Sequence, residues 1–215
     1  SGTGKTSLLN RFALGIRSTG GSVYLHGTET GTKRRTDDLL CSLAGVDSRA
    51  WGALAMSVNP RVTPNAHVRS SQVELMGKMD SAIAWWRTAP GEVYISGGAL
   101  TVEEICYRAT VKAKRHGLDA VIVDYLQDIA DTRGEGLRPG DRVQQVAHKS
   151  SMLKDLASRL EIPVIMGAQV SGEKDGPGKD PRPQLWSCQW SSSAHQDAEE
   201  VYAIHREDYY IDRFG

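Results

Sequence analysis

Cysteine is scarce in this chain. There are three in 215 residues, Cys41, Cys106 and Cys188, far apart and odd in number. That pattern argues against a zinc-ligand set and a disulfide framework, and it fits a reducing cytoplasm. Net charge is lacking too: 26 Lys and Arg stand against 26 Asp and Glu. No global basic field therefore draws the chain to nucleic acid, and any such contact must be local, in a groove or loop. No apolar run approaches the roughly 18 residues of a membrane span. The N-terminal SGTGKTS lacks the charged region and long apolar stretch of a signal peptide. The six histidines show no metal-ligand spacing, and there is no internal repeat or low-complexity tract. The 40% hydrophobic and 24% charged fractions exclude a disordered tail or a collagen-like rod, and the length suits one large domain.

Apolar spacing organises the chain into alternating helices and strands. Leu8, Leu9, Phe12, Ala13 and Ile16 recur at helical spacing from Lys5 to about Ser18, and Gly20-Gly21 ends that pattern. SVYLHG (22–27) reads as a short buried strand, and a helix is expected over 33–44. The stretch 46–65, with Pro60 and Pro64, reads as irregular. A second helical stripe carries Leu75, Met79, Ile83 and Trp86, which puts Trp86 in the core. EVYIS (92–96) is a strand, and Thr101 with Glu104 forms a capping box opening a helix with Val102, Ile105, Ala109 and Ala113 inward. DAVIVDY (119–125) is the most strand-like run of all. A polar loop follows, then a long helix over about 141–160 with Val143, Val146, Ser150, Leu153, Ala157 and Leu160 on one face. PVIMGAQ (163–169) is a strand, 171–183 an exposed loop, and EVYAIHREDYYIDRFG runs through a further strand. Lys112, Lys114, Arg115 and His116 read as the solvated end of a helix. Strands alternating with helices imply a mostly parallel α/β sheet covered on both faces.

The chemistry begins at the first residue. SGTGKT is the back half of the phosphate-binding pattern G-x-x-x-x-G-K-[ST], whose first glycine would lie two positions before Ser1. In such a loop Ser1, Gly2, Thr3, Gly4, Lys5, Thr6 and Ser7 surround the phosphates of a nucleotide. Lys5 would reach the β- and γ-phosphates, and the Thr6 hydroxyl would bind Mg²⁺. Such an ATPase needs a carboxylate near the cation at the end of a buried strand, and Asp124 stands there. Glu29 follows the strand VYLHG and Gln169 follows PVIMGA, so both would emerge at the sheet edge where ligands sit in open α/β sheets.

In sequence order, SGTGKTSLLNRFAL, VYLHGTE, VYISGGALTVEEI, GLDAVIVDYLQDI, DRVQQVAHKSSMLKDLASRLEIPVIMGAQVS and QDAEEVYAIHREDYY resemble the ATPase domain of DnaB-type replicative helicases. The resemblance covers nearly the whole chain and is weakest over 46–90. It implies a RecA-like P-loop NTPase fold, truncated of its first strand and its C-terminal strands, with residues 1–215 as one helicase ATPase domain cut from a longer chain. It implies roles as well. Glu29 matches the catalytic glutamate that polarises the attacking water, Lys5 the phosphate residue, Thr6 and Asp124 the residues linked to Mg²⁺, and Gln169 the γ-phosphate sensor. It further implies ATP and Mg²⁺ as cofactors, a homo-oligomer in the form of a hexameric ring and translocation on single-stranded DNA, and it leaves open whether a primase or other N-terminal domain is attached. The arginine finger of such rings would come from a strand beyond the HREDYY block, so Arg206 and Arg213 fall short of it.

Two places depart from the family pattern. Gly27-Thr28-Glu29 replaces the usual Ser-Leu-Glu, which keeps the acid and changes its support. The DNA-contacting loop has lost its arginine and its glycine and reads Cys188-Gln189-Trp190-Ser191-Ser192-Ser193. Gln189, Trp190, Ser191 and Ser192 remain the candidate DNA contacts, with Trp190 able to stack on a base. The alternative function is an ATP-dependent assembly, loader or switch module that does not unwind.

Overall fold

Val23, Tyr24 and Leu25 form the apolar middle of the short run Ser22–Gly27 (β1), which is enclosed along almost its whole length. It lies inside a parallel sheet. Glu92–Gly97 (β2) pairs with it on one side and Ala120–Asp124 (β3) on the other, and Val164–Met166 (β4) pairs with β3. The order is β2-β1-β3-β4 in a computed structural model that describes residues 4–29, 31–57, 66–134, 137–170 and 193–205.

Parallel neighbours need crossovers, and helices supply them. Lys5–Ser18 (α1), Thr32–Ala44 (α2) and Ala66–Thr88 (α4) cover one face, packing Leu9, Ala13, Leu14 and Leu39 with Trp85 and Trp86 onto Val23, Leu25, Ala120 and Ile122. Val102–His116 (α5) and Arg142–Leu160 (α6) cover the other, where Ile105, Ala109, Val146, Leu153 and Leu156 meet Tyr24, Val121 and Val123. The strict alternation along β1 and β3 assigns each residue to one of these two cores. Both bonds of the Thr101–Glu104 capping box are made at the start of α5. Trp86 is fixed in its core by Arg17, whose guanidinium lies 3.9 Å from the ring centroid and donates from Nη2 to the Trp86 carbonyl.

Four sequence readings change. Within 46–65, Ser48–Ser57 is a helix (α3), started by Asp47, whose carboxylate accepts from the N–H groups of Arg49 and Ala50 at 2.9 Å each. Val143 is 59% exposed in the first turn of α6, and Leu156, absent from the expected stripe, is buried in the core. Leu8 and Phe12 turn away from the core, lining a groove of about 740 Å³ between α1, β4 and residues 197–204. Residues 201–205 carry no regular structure, so the strand expected there is not formed over them. The loop 171–183 lies outside the described residues.

Candidate active site

The carboxyl ends of β1, β3 and β4 come level with one another. Gly27 is in register with Asp124, and Val123 with Met166, so the residues that follow each strand emerge side by side. The N-terminus of α1 is at the same place. Gly4 caps that helix with φ 96°, a left-handed conformation that favours glycine, and it brings no side chain to cap the first turn. Backbone N–H groups at such a helix start form an anion site, with the positive end of the helix dipole behind them. Thr6 and Ser7 are exposed on the first turn, while Lys5 is half-buried with its Nζ 5.3 Å from the centroid of the Tyr125 ring.

Tyr125 links Lys5 to Glu29. Glu29 is exposed just beyond β1, close enough for its charge to act on the Tyr125 hydroxyl. The Tyr125 hydroxyl is pushed up to about 12, first by burial and then by the negative charges of Asp128 and Glu29, so it stays protonated. Thr28 supplies the support that the changed motif left open. Its N–H and its hydroxyl both donate to the Asp124 carbonyl, at 2.9 and 3.0 Å, and its Oγ1 accepts from the Tyr125 N–H at 3.2 Å. Glu29 and Asp124 are thereby fixed to one another through the backbone.

Asp124 itself is enclosed and paired. Arg35 Nη1 donates to its Oδ2 at 2.7 Å, with 2% of the arginine side chain and 6% of the aspartate side chain exposed. Helix geometry explains the reach: Cα–Cβ bonds tilt toward a helix N-terminus, so Arg35 in the first turn of α2 projects back over the strand ends. Gln127 was not anticipated either. Its amide accepts from the Gln169 N–H and donates to the Gln169 carbonyl, both at 3.0 Å, which pins the backbone of Gln169 beside β3.

A divalent cation fits this set. Arg35 occupies one carboxylate oxygen and leaves Oδ1, which faces Gly167. A Cβ at Gly167 would lie 3.5 Å from Asp124 Oδ1 and 3.2 Å from Leu9 Cδ1, so the missing side chain keeps room beside the carboxylate. Hard oxygen donors, a carboxylate and a hydroxyl, are the chemistry Mg²⁺ takes.

The loop after β3 is tied down from below. Lys149 is buried and donates to the Ile129 carbonyl at 2.5 Å and to Asp131 at 3.0 Å. Gln145 brackets Thr132, accepting from its N–H at 3.0 Å and donating to its carbonyl at 2.8 Å. Glu103 accepts from the Thr132 hydroxyl at 2.8 Å and pairs with His148 Nε2 at 2.7 Å. Burial raises the Glu103 carboxyl, but those two hydrogen bonds and its backbone outweigh it and hold it at about 2.

Of the residues expected to act, Gly4, Lys5, Thr6, Ser7, Glu29, Asp124 and Gln169 converge on this edge, whereas Ser1, Gly2, Thr3 and the loop Gln189, Trp190, Ser191 and Ser192 lie outside the described residues. Thr28 carried a signal, since it departs from the family motif. Arg35 carried none: in TKRRTDD it reads as one more charge on a solvated helix.

A parallel sheet with a lysine and a threonine opening the first helix, and a buried aspartate ending a central strand, defines a RecA-like α/β fold. The chain belongs to the family described as the DnaB-like helicase C terminal domain, whose profile matches residues 1–214. It is 39% identical over 115 residues to the replicative DNA helicase DnaB of Rickettsia bellii, covering 54% of this chain and 22% of that protein. It is 26% identical over 218 residues to the replicative DNA helicase DnaC of Bacillus subtilis, covering 96% of this chain and 41% of that protein. The chain therefore spans less than half the length of these relatives. A solved DnaB-like replicative helicase, studied with its interactions with primase, shares the fold at a TM-score of 0.74 and 23% identity, covering 99% of this chain and 48% of that one.

Proposed function

We propose that this chain is the ATP-hydrolysing motor domain of a ring-forming DnaB-like helicase that translocates on single-stranded DNA. The observation that supports it most is the convergence of Lys5, Glu29, Asp124 and Gln169 on one sheet edge beside the start of α1, within a chain of this family. Lys5 neutralises phosphate charge, and the N–H groups of the α1 start hold phosphate oxygens. Glu29 takes a proton from the water whose oxygen attacks the γ-phosphorus, as the bond from that phosphorus to the bridging oxygen breaks. Mg²⁺ bound with the nucleotide supplies further charge neutralisation on the phosphates. Thr6 and Asp124 are the residues that would hold it. Gln169, its backbone fixed by Gln127, reads the γ-phosphate with its side chain.

The wider reading extends past these residues. Residues 1–215 form one RecA-like domain of a longer, cytoplasmic protein that assembles as a hexamer, with DNA contacts in 189–192 and a primase or other N-terminal domain as partner. No helix among the described residues is long and apolar enough to cross a membrane. The test is the ATPase rate of the full-length protein with and without single-stranded DNA, alongside its native mass. A ring whose turnover rises strongly with DNA supports the helicase. A ring that ignores DNA supports an assembly or switch module instead.

A further inference from the structure

Asp124 and Arg35 come from positions 89 residues apart and are both withdrawn from water. Burying two charges is costly, and their attraction offsets that only when each is well satisfied. Arg35 is satisfied by little else. Its Nε and Nη2 are buried with no hydrogen-bond partner among the described residues. The acid one turn further along α2, Asp38, pairs with Arg34 at 3.7 Å and feels the Arg35 charge only after that of Arg34. The guanidinium is therefore committed to Asp124, and the two side chains form a neutral unit at the end of β3.

A neutral unit attracts a free divalent cation weakly, because the field of the carboxylate is cancelled by a positive charge in contact with it. The same pair fixes the direction of the carboxylate, with Oδ2 taken and Oδ1 facing the space beside Gly167. We propose that Arg35 is a positioning residue that cancels the charge of Asp124, so that the cation site forms only when a nucleotide brings its own negative charge. The proposal rests on the reading of Asp124 as the acid linked to the metal. Its consequence is order: the empty protein does not gather free cation at the strand end, and the metal enters with the phosphates.

Binding of Mn²⁺, followed by electron paramagnetic resonance on the full-length protein, tests this without reference to turnover. In the absence of nucleotide, wild type and the double variant Asp124→Asn/Arg35→Gln, both neutral at this position, should bind Mn²⁺ with affinities within about threefold of each other, since a cancelled charge adds little. Arg35→Gln keeps a donor for Oδ2 and removes the charge, so it should bind free Mn²⁺ about tenfold tighter than wild type, while Arg35→Lys stays near wild type. Arg35→Gln matching Arg35→Lys would overturn the proposal. If Arg35→Gln does not fold, the first comparison decides alone: wild type binding free Mn²⁺ much more tightly than the neutral double variant overturns it. With ADP present, Asp124→Asn should bind Mn²⁺ more weakly than wild type. Equal binding there would remove Asp124 from the metal site, a failure of the functional reading that is separate from the behaviour of the Arg35 variants.

Discussion

His26 is completely enclosed in β1, with its Nδ1 3.3 Å from the Ser96 hydroxyl and its Nε2 without a partner among the described residues. Burial pushes it down to about 4, and the positive charges of Arg108 and Arg35 push the same way. The ring is thus neutral in the folded protein at pH 5 and protonated in the unfolded chain, whose histidine titrates near 6.5. The unfolded state binds the extra proton, so stability is full above that value and falls as pH drops toward 4. Between pH 7 and pH 5 the loss should be about 2 kcal/mol. Urea melts at the two pH values measure it, and His26→Gln should lose less than wild type over the same interval. Glu103 does not confuse the result: its carboxyl is held at about 2 against an ordinary 4.5, so its contribution is lost only at more acid pH.

The elements were more legible than the site. Short apolar runs gave β1, β2 and β3 within a residue or two, because strands covered on both faces, as β1 and β3 are, read as continuous apolar runs. The start of α5 was legible because a capping box is local chemistry. Thr101→Ala should therefore cost about 1 kcal/mol in a thermal or denaturant melt, and an unchanged midpoint would deny the cap any stabilising role. What failed was tertiary in origin. α3 was hidden by the prolines that follow it, although Asp47 was present as its cap. Val143 faces solvent from the first turn of α6, where Gln145 and Val146 hold the enclosed side instead. In the site, Lys5, Glu29, Asp124 and Gln169 were readable from motif order, since each closes a strand or opens a helix. Arg35 and Gln127 were not. Their roles depend on partners 89 and 42 residues away, which no local pattern reports.

At the scale of the whole molecule, a net charge of zero leaves single-strand binding to local contacts. If Trp190 stacks on a base, Trp190→Ala should lose about 1–3 kcal/mol of single-strand affinity in a fluorescence titration, with the salt dependence little changed because no phosphate contact is removed. Unchanged affinity would take DNA binding away from that loop. The central claim is that one sheet edge both holds the triphosphate and activates the water, with the two tasks on different residues. The most direct measurement is Mg·ATP affinity beside single-turnover hydrolysis, on the full-length protein, for wild type, Lys5→Ala and Glu29→Gln. Lys5 contacts phosphate in the ground state, so Lys5→Ala should abolish binding. Glu29 acts only as the water is attacked, so Glu29→Gln should bind ATP as wild type does and hydrolyse it about 10²–10⁴ times more slowly. Equal loss of ATP affinity in both variants, or full turnover by Glu29→Gln, would contradict that division of roles.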